Sequence, residues 1–140
     1  MPPPTRISDC MHKKPLTIQP DANIAQAVEM MVEYKLTGLT VTDSEGLVVG
    51  VLSELDCLAS ILDSIYNEGN AESALVSDVM VTDINSCTSA DGIVEVAQHM
   101  RFTGQRRRPV IDQGQLVGQV SSGNILWALL EYSRRKTQGN

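Results

Sequence analysis

The chain has 140 residues, a net charge of −6 and a hydrophobic fraction of 42%. A chain of this length buries about two-thirds of the surface that it exposes when unfolded, so it can form a real core. These proportions exclude a wholly disordered protein, and the longest apolar stretch, residues 125–130, is far shorter than the ~20 residues of a membrane helix. The acidic balance also argues against a general nucleic-acid binder.

The first predicted helix begins at Ile24, where apolar residues recur at helical spacing as far as Met31. Asn23 and Gln26 have the residue types and the spacing of a capping pair for this helix. The other elements predicted in this half are two short strands around a turn and a second helix: 38–43, 47–52 and 54–66.

The same order of elements is predicted again in the second half of the chain. Apolar spacing between Ile93 and Met100 predicts a helix, and Gly92 and Glu95 stand where the first half has its capping pair. The elements that follow are again two strands and a helix: 108–112, 115–120 and 122–134.

The two halves repeat each other in residue identity as well as in order. Asp9 and Met11 recur 69 residues later as Asp78 and Met80. The same offset relates four further pairs: Ile24 and Ile93, Met31 and Met100, Val41 and Val110, and Asp43 and Asp112. Beyond the turn between the strands the offset falls to 68, because the second turn is one residue shorter. This agreement predicts an internal duplication.

The second helix of each half is apolar on nearly all sides. The residues concerned are Leu55, Leu58, Ile61, Leu62 and Ile65 in one helix, and Ile125, Leu126, Trp127, Leu129 and Leu130 in the other. Such helices need cover on more than one side, and large exposed apolar patches are rare on monomers. The pattern favours a homodimer; burial of the two helices against each other is the alternative.

Three cysteines, Cys10, Cys57 and Cys87, stand far apart in the sequence. Their odd number and wide spacing predict neither a disulfide framework nor a zinc cage, and they suit a reducing compartment. The start of the chain, Met1 and three prolines, has neither the basic residues nor the apolar core of an export signal. We therefore expect a cytoplasmic protein.

The order I-S-D-x-M, helix, T-V-T-D-x-x-G-x-V-V-G-V-L-S-x-x-D, helix resembles a cystathionine-β-synthase (CBS) domain. The second copy, V-S-D-V-M and then R-P-V-I-D-x-G-x-L-V-G-Q-V-S-S-G-N, is similar to it in the same way. The resemblance implies an α/β (α+β) fold of two β-α-β-β-α repeats, packed as a pseudo-twofold pair. It divides the chain into repeat one at 7–66, a linker at 67–75 and repeat two at 76–135.

The resemblance also implies a ligand and an assembly. CBS pairs enclose clefts that bind adenosine-containing ligands, namely AMP, ADP, ATP or S-adenosylmethionine, and such pairs often form flat dimers. The family's ligand signature, G-h-x-[S/T]-x-x-D, is matched by residues 50–56, which include Ser53 and Asp56. A carboxylate one turn into a helix can accept hydrogen bonds from a ribose diol. The same S-x-x-D spacing is also a capping box that needs no ligand, and the two roles are compatible.

The second copy departs from that signature. Ser121 is kept, but Asn124 replaces the aspartate and offers one acceptor oxygen rather than two, which weakens the case for ribose binding.

Arginines change the net charge of the second half of the chain: residues 1–75 carry −7 and residues 76–140 carry +1. Arg107 and Arg108 match Gly38 and Leu39, which in the family line the cleft, so we expect Arg107 or Arg108 to neutralise a phosphate. A solvated basic turn or an ion pair with the acidic half is the alternative.

The family resemblance adds four further residues to the predicted site. Thr17 and Ile18, and Ser86 at the matching place, precede the first helix of each copy, where the family commonly contacts the nucleoside. Pro109, next to the arginines, completes the expected lining of the cleft. For Thr17 and Ser86 the alternative is ordinary polarity at the edge of a strand.

The functional prediction is a non-catalytic regulatory module that binds an adenosine-containing ligand between its repeats and signals by a population shift. No Walker loop, zinc-protease motif or nucleophile elbow occurs in the sequence, so we expect no enzyme activity, no metal and no cofactor besides the regulatory nucleotide. An unidentified protein partner would have to respond to the change. The alternative is a structural dimerisation module whose clefts are degenerate and empty.

Overall fold

The structure is a computed structural model that describes residues 4–138. It contains two compact units. The central unit comprises Leu16–Ile84, and the terminal unit combines the chain up to Pro15 with the chain from Asn85 onward. Helices and strands occur in both units, which confirms the predicted mixed α/β class.

The central unit contains a three-stranded sheet, three α-helices and a short 3-10 helix (Ala71–Ser73). The strands are β1 (Thr17–Ile18), β2 (Gly38–Thr42) and β3 (Val48–Ser53), and the helices are α1 (Ile24–Tyr34), α2 (Glu54–Tyr66) and α3 (Val76–Val79). The order in the sheet is β1-β2-β3, with β1 parallel to β2 and β2 antiparallel to β3. The register places Gly38 opposite Ser53.

The terminal unit repeats this arrangement with a smaller sheet. A 3-10 turn (Ile7–Asp9) precedes α4 (Ile93–Thr103), β4 (Arg107–Asp112), β5 (Gln115–Ser121) and α5 (Ser122–Gln138). Strands β4 and β5 are antiparallel, and Cys87 adds one isolated parallel bridge to Val110. The predicted β-α-β-β-α order is therefore complete in the central unit, whereas a single bridge stands for its first strand in the terminal unit.

The local signals that predicted the helices are present in the structure. Gln26 N–H donates to Asn23 Oδ1 (2.8 Å) and Asn23 N–H donates to Gln26 Oε1 (2.9 Å), which confirms the capping pair of α1. At the equivalent start of α4, Gly92 caps the helix without a side-chain hydrogen bond. No helix between residues 4 and 138 combines the length and the apolar character that a membrane span requires.

The folded units do not follow the boundaries of the sequence repeats. Ile7, which leads the first repeat, is fully buried in the core of the terminal unit, and Val76, which leads the second, is fully buried in the core of the central unit. We call residues 5–14 and 74–83 the leading segments. Each lies on the unit formed by the other repeat, so the division at 7–66, 67–75 and 76–135 describes the duplication and not the two cores.

Backbone hydrogen bonds attach both leading segments in the same way. His12 and Gln119 exchange N–H···O bonds of 2.8 and 2.9 Å in the terminal unit. Val81 and Val51 exchange two bonds of 2.9 Å in the central unit. Each segment therefore pairs with a strand of the sheet in the unit where it lies. The buried apolar residue of the segment, Ile7 in one and Val76 in the other, completes the core of that unit.

Glycines make room for the methionines of the leading segments. A Cβ atom added at Gly118 would lie 2.7 Å from the Met11 sulfur and 2.9 Å from the carbonyl oxygen of His12. At Gly50 the corresponding distance to the Met80 sulfur is 2.6 Å. Both methionines pack against the core of the unit in which they lie.

We expect Gly118→Ala to lower the free energy of unfolding by about 1–3 kcal/mol, because the new methyl group overlaps a backbone carbonyl that cannot move without breaking the His12–Gln119 pair. Urea denaturation followed by circular dichroism measures this change. Gly123→Ala is the matched control, since its Cβ atom would approach only Ser121 Oγ, at 3.7 Å. An equal loss in both variants would contradict the packing argument.

Candidate functional site

The first candidate site lies where β3 passes into α2 in the central unit. Ser53 ends the strand, and its N–H donates to Asp56 Oδ2 at 3.0 Å. Asp56 N–H donates in return to Ser53 Oγ at 3.1 Å. The capping box considered as an alternative in the sequence is therefore formed, and it fixes the position of the carboxylate.

The capping bonds leave part of Asp56 unused. Among the described residues, Asp56 Oδ1 has no hydrogen-bond partner, and the side chain is half-buried. Asp56 lines a groove of about 470 Å³ in the central unit, together with Ser60, Asp63 and Asp78. One carboxylate oxygen caps the helix while the other remains available, so the structural role does not exclude a ligand.

The second candidate site has the same geometry at the junction of β5 and α5. Ser121 N–H donates to Asn124 Oδ1 and Asn124 N–H donates to Ser121 Oγ, both at 3.1 Å. Asparagine therefore keeps the capping box that aspartate forms in the central unit. Because Oδ1 accepts the Ser121 N–H, the Nδ2 amide group is the part of Asn124 with unused hydrogen-bonding capacity.

The arginines of β4 separate into two environments. Arg107 lies directly opposite Ser121 in the register, as Gly38 lies opposite Ser53. Arg108 is only 3% exposed. Its guanidinium donates to Gln105 Oε1 at 2.7 and 3.0 Å and contacts His99 Nδ1 at 2.7 Å.

These contacts give Arg108 a structural role inside the terminal unit. Burial lowers the pKa of its guanidinium, and Gln105 and His99 supply the acceptors that the buried cation needs. Arg108 is thus an internal hydrogen-bond donor where we expected a phosphate ligand. Arg107 is half-buried and forms no ion pair in the described part of the chain. Its binding to a phosphate stays a prediction.

The remaining predicted residues divide into core and surface. Ile18 and Leu39 belong to the core of the central unit, and Pro109 is buried in β4, so their side chains serve packing. Thr17 is half-buried on β1, and Ser86 is exposed and lies outside any strand. The structure brings Gly38, Ser53 and Asp56 together at one edge, and Arg107, Ser121 and Asn124 together at another.

Sequence reasoning missed the two partners of Arg108. Neither His99 nor Gln105 belongs to a sequence motif that would indicate a contact with Arg108. A buried arginine can be found only from its tertiary partners, because no local pattern predicts which arginine of a run turns inward. The one available signal was strand alternation, which places Arg107 and Arg108 on opposite faces.

The cysteines show no feature of a reactive or metal site. All three are free, and burial raises the pKa of the Cys87 thiol to about 11. Burial also raises the pKa values of Cys10 and Cys57. Between residues 4 and 138, no group of three or more histidine, cysteine, aspartate or glutamate side chains is placed to hold a metal ion.

The fold and its paired sites define a duplicated α/β module in which each repeat carries a serine-capped helix after its last strand. The chain belongs to the CBS domain family, whose sequence pattern matches residues 7–63 and 76–131. This confirms the resemblance seen in the sequence.

Proteins similar in sequence to this chain include a CBS domain-containing protein. The chloroplastic CBS domain-containing protein CBSX1 of Arabidopsis thaliana is 29% identical over 143 residues, covering 84% of this chain and 60% of CBSX1. The uncharacterized protein MJ1225 of Methanocaldococcus jannaschii is 25% identical over 120 residues, covering 86% of this chain and 41% of its own length. The chain therefore spans about half the length of these two relatives.

A solved structure of a related protein contains a nucleotide. Arabidopsis thaliana CBSX2, crystallised in complex with AMP, is 29% identical to this chain and superposes with a TM-score of 0.80. The superposition covers 92% of this chain and 98% of CBSX2.

We expect Arg108→Lys to lower the free energy of unfolding by about 1–3 kcal/mol, because an ammonium group cannot reproduce the planar fork that reaches both Gln105 and His99. Arg107→Lys is the matched control on the adjacent residue, and we expect it to change stability by less than about 0.5 kcal/mol. Urea titration of both variants checks this. Equal stability of the two variants would contradict a structural role for Arg108.

Proposed function

We propose that this protein is a non-catalytic regulatory module that binds an adenosine-containing ligand, namely AMP, ADP, ATP or S-adenosylmethionine. One observation carries the proposal: Asp56 lines an open groove, is fixed by its capping bonds, and has one carboxylate oxygen without a hydrogen-bond partner among residues 4–138. The AMP complex of CBSX2, a protein 29% identical to this chain, supports the same class of ligand.

The chemistry of the central unit suits the ribose. Asp56 Oδ1 is a pure acceptor and can take hydrogen bonds from two neighbouring hydroxyl groups. The Ser53 hydroxyl accepts the Asp56 N–H and keeps its own proton to donate to a ligand oxygen. Gly38, opposite Ser53, has no side chain to obstruct the approach to this edge.

Regulation by this module requires a ligand with different affinities for two conformations, since only such a ligand shifts their populations. A protein partner, or a second copy of this chain, would transmit the change. We place the protein in the cytoplasm, in agreement with its three free cysteines. We assign it no catalytic step, because the Ser53 and Ser121 hydroxyl groups accept from backbone N–H groups, and neither donates to a general base among residues 4–138.

We expect Asp56→Asn to weaken binding of these ligands about tenfold or more, because it replaces the free carboxylate oxygen with an amide. The variant should keep the melting temperature of the wild type, since Asn124 shows that asparagine forms the same capping box. Calorimetric titration with AMP, ADP, ATP and S-adenosylmethionine measures the affinities.

Asp63→Asn is the control for this titration, because it removes the same charge from the same groove without contacting Ser53. We expect the control to bind like the wild type. Unchanged affinity in Asp56→Asn would remove Asp56 from the site. Failure of the wild type to bind any of the four ligands would reject the proposal in favour of a dimerisation module with empty sites.

We further propose that the chain forms a homodimer through its helices. Leu55, Leu58 and Ile65 of α2 are exposed, Leu58 to 55%. Helices α1 and α2 form an apolar groove of about 600 Å³, which includes Val28, Val32, Leu58 and Ile61. Exposed apolar residues also occupy the helices of the terminal unit: Phe102, Leu126, Trp127 and Leu130. Surfaces of this kind are typical of protein interfaces.

We expect Leu58→Glu to convert a dimer to a monomer at micromolar concentration, because the charge enters an apolar contact. The fold should be unaffected, since Leu58 is already exposed in the single chain. Sedimentation equilibrium gives the mass. Ser44→Glu adds the same charge at an exposed turn and serves as the control. A wild-type monomer, or an Leu58→Glu dimer, would contradict this interface.

A further inference from the structure

We infer that two copies of this chain associate head to tail: helices α1 and α2 of one copy contact α4 and α5 of the other. This inference rests on the proposed homodimer and specifies which faces meet. The alternative is a like-to-like contact, in which each helix pair meets the same helix pair of the second copy. Three observations favour the head-to-tail contact, namely the charge of the helices, the interchange of residues between equivalent positions, and the net charge of the folded units.

The two helix pairs carry opposite net charge. Helices α1 and α2 contain five acidic residues and no basic residue: Glu29, Glu33, Glu54, Asp56 and Asp63. Helices α4 and α5 contain four basic and two acidic residues, a net charge of +2. A like-to-like contact through α1 and α2 therefore brings ten carboxylates into one interface, and like charges that face each other disfavour association.

Both helix pairs also expose apolar side chains that a second copy can cover. Leu55 and Leu58 are exposed on α2, and Phe102 and Leu126 are exposed on α4 and α5. Burial of such surface favours association, whichever apolar face lies opposite. The apolar residues therefore explain why the faces associate, and the charged residues decide which faces meet.

Charged and apolar residues are interchanged between equivalent positions of α1 and α4. The 69-residue offset equates Val32 with Arg101 and Glu33 with Phe102, and all four side chains are exposed. A two-fold axis through a like-to-like contact brings the same patch together from both copies, so that Glu33 approaches Glu33. A head-to-tail contact instead brings Glu33 to the face that carries Arg101. In the described part of the chain neither Glu33 nor Arg101 forms an ion pair, so each charge is available to a partner.

The net charges of the folded units favour the same contact. The central unit has 1 basic residue, Lys35, and 12 acidic residues, a net charge of −11. The terminal unit has 10 basic and 5 acidic residues, a net charge of +5. Opposite net charges attract during the encounter of two copies, and equal ones repel. The central unit of one copy therefore associates more readily with the terminal unit of the other than with a second central unit.

Symmetry repeats this contact when the assembly closes. If α1 and α2 of the first copy contact α4 and α5 of the second, a two-fold axis places α1 and α2 of the second copy on α4 and α5 of the first. A closed dimer then covers the apolar residues of all four helices in both copies and pairs the opposite charges twice.

The first test is the dependence of dimerisation on salt, measured by sedimentation equilibrium of the full chain in about 50 mM and about 500 mM NaCl. We expect the dissociation constant of the dimer to rise about tenfold or more at the higher concentration, because salt screens the attraction between opposite charges. A like-to-like contact predicts tighter association, since salt then screens a repulsion. Unchanged or tighter association at high salt would overturn the inference.

The second test reverses charges on the two faces, at side chains that are exposed in the single chain. We expect Glu33→Lys and Arg101→Glu each to weaken dimerisation about tenfold or more, because each places like charges opposite one another. Both substitutions in one chain should restore the affinity, since the two signs are then reversed together. Asp83→Lys is the control, because it changes the charge of the central unit equally from outside α1 and α2, and it should dimerise like the wild type.

Three outcomes of the charge reversals would overturn the inference: wild-type affinity in both single variants, an equal loss in Glu33→Lys and Asp83→Lys, or no recovery in the combined variant. A dimer that ignores both reversals would leave the proposed homodimer intact and reject the head-to-tail contact. Assemblies larger than a dimer that both reversals dissociate would reject the homodimer and keep the contact, since a head-to-tail contact that does not close forms open chains. A wild-type monomer would reject both.

Discussion

The burial of Ile7 and Val76 is the constraint on which the rest of the structure depends. Each of these residues is fully buried in the core of a unit built mainly from the other repeat. Their burial holds the leading segments in place, and the segments add backbone hydrogen bonds to β5 and β3. The ends of those same strands carry Ser121 and Ser53, so the candidate sites are built on the strands that the leading segments support.

The helices, their caps and the paired strands were predictable from the sequence because residues close together in the chain specify them. The capping pair at Asn23, the two strand pairs and the helices that begin at Glu54 and Ser122 all follow from spacing and residue type. The sequence signal for the first strand of each repeat was weaker, and in the terminal unit this strand is reduced to one bridge at Cys87. Its pairing depends on a distant partner strand, which a short stretch of sequence does not specify.

The position of each leading segment, on the unit formed by the other repeat, was not predictable in the same way. The residues around Ile7 and Val76 are alike, so the pattern fits either core equally well, and only the path of the chain decides which core receives which segment. The environment of Arg108 was likewise not predictable from the sequence around it. Its match to a position that lines the cleft in the family indicated phosphate, whereas its hydrogen bonds are to His99 and Gln105, which the fold brings to it. The Ser53–Asp56 pair was found because its spacing has a local meaning, and both of its predicted roles are chemically compatible.

The equivalence of aspartate and asparagine in the two capping boxes has a consequence for how such a duplicated protein can diverge. Each side chain presents one oxygen to the backbone of its serine, so stability depends on the half of the group that the two residues share. The other half, an oxygen in one repeat and an amide nitrogen in the other, makes no hydrogen bond within the described part of the chain. One substitution at this position therefore reverses the polarity offered to a ligand without dismantling the helix start. Specificity in this scaffold can change while the architecture that carries it is conserved.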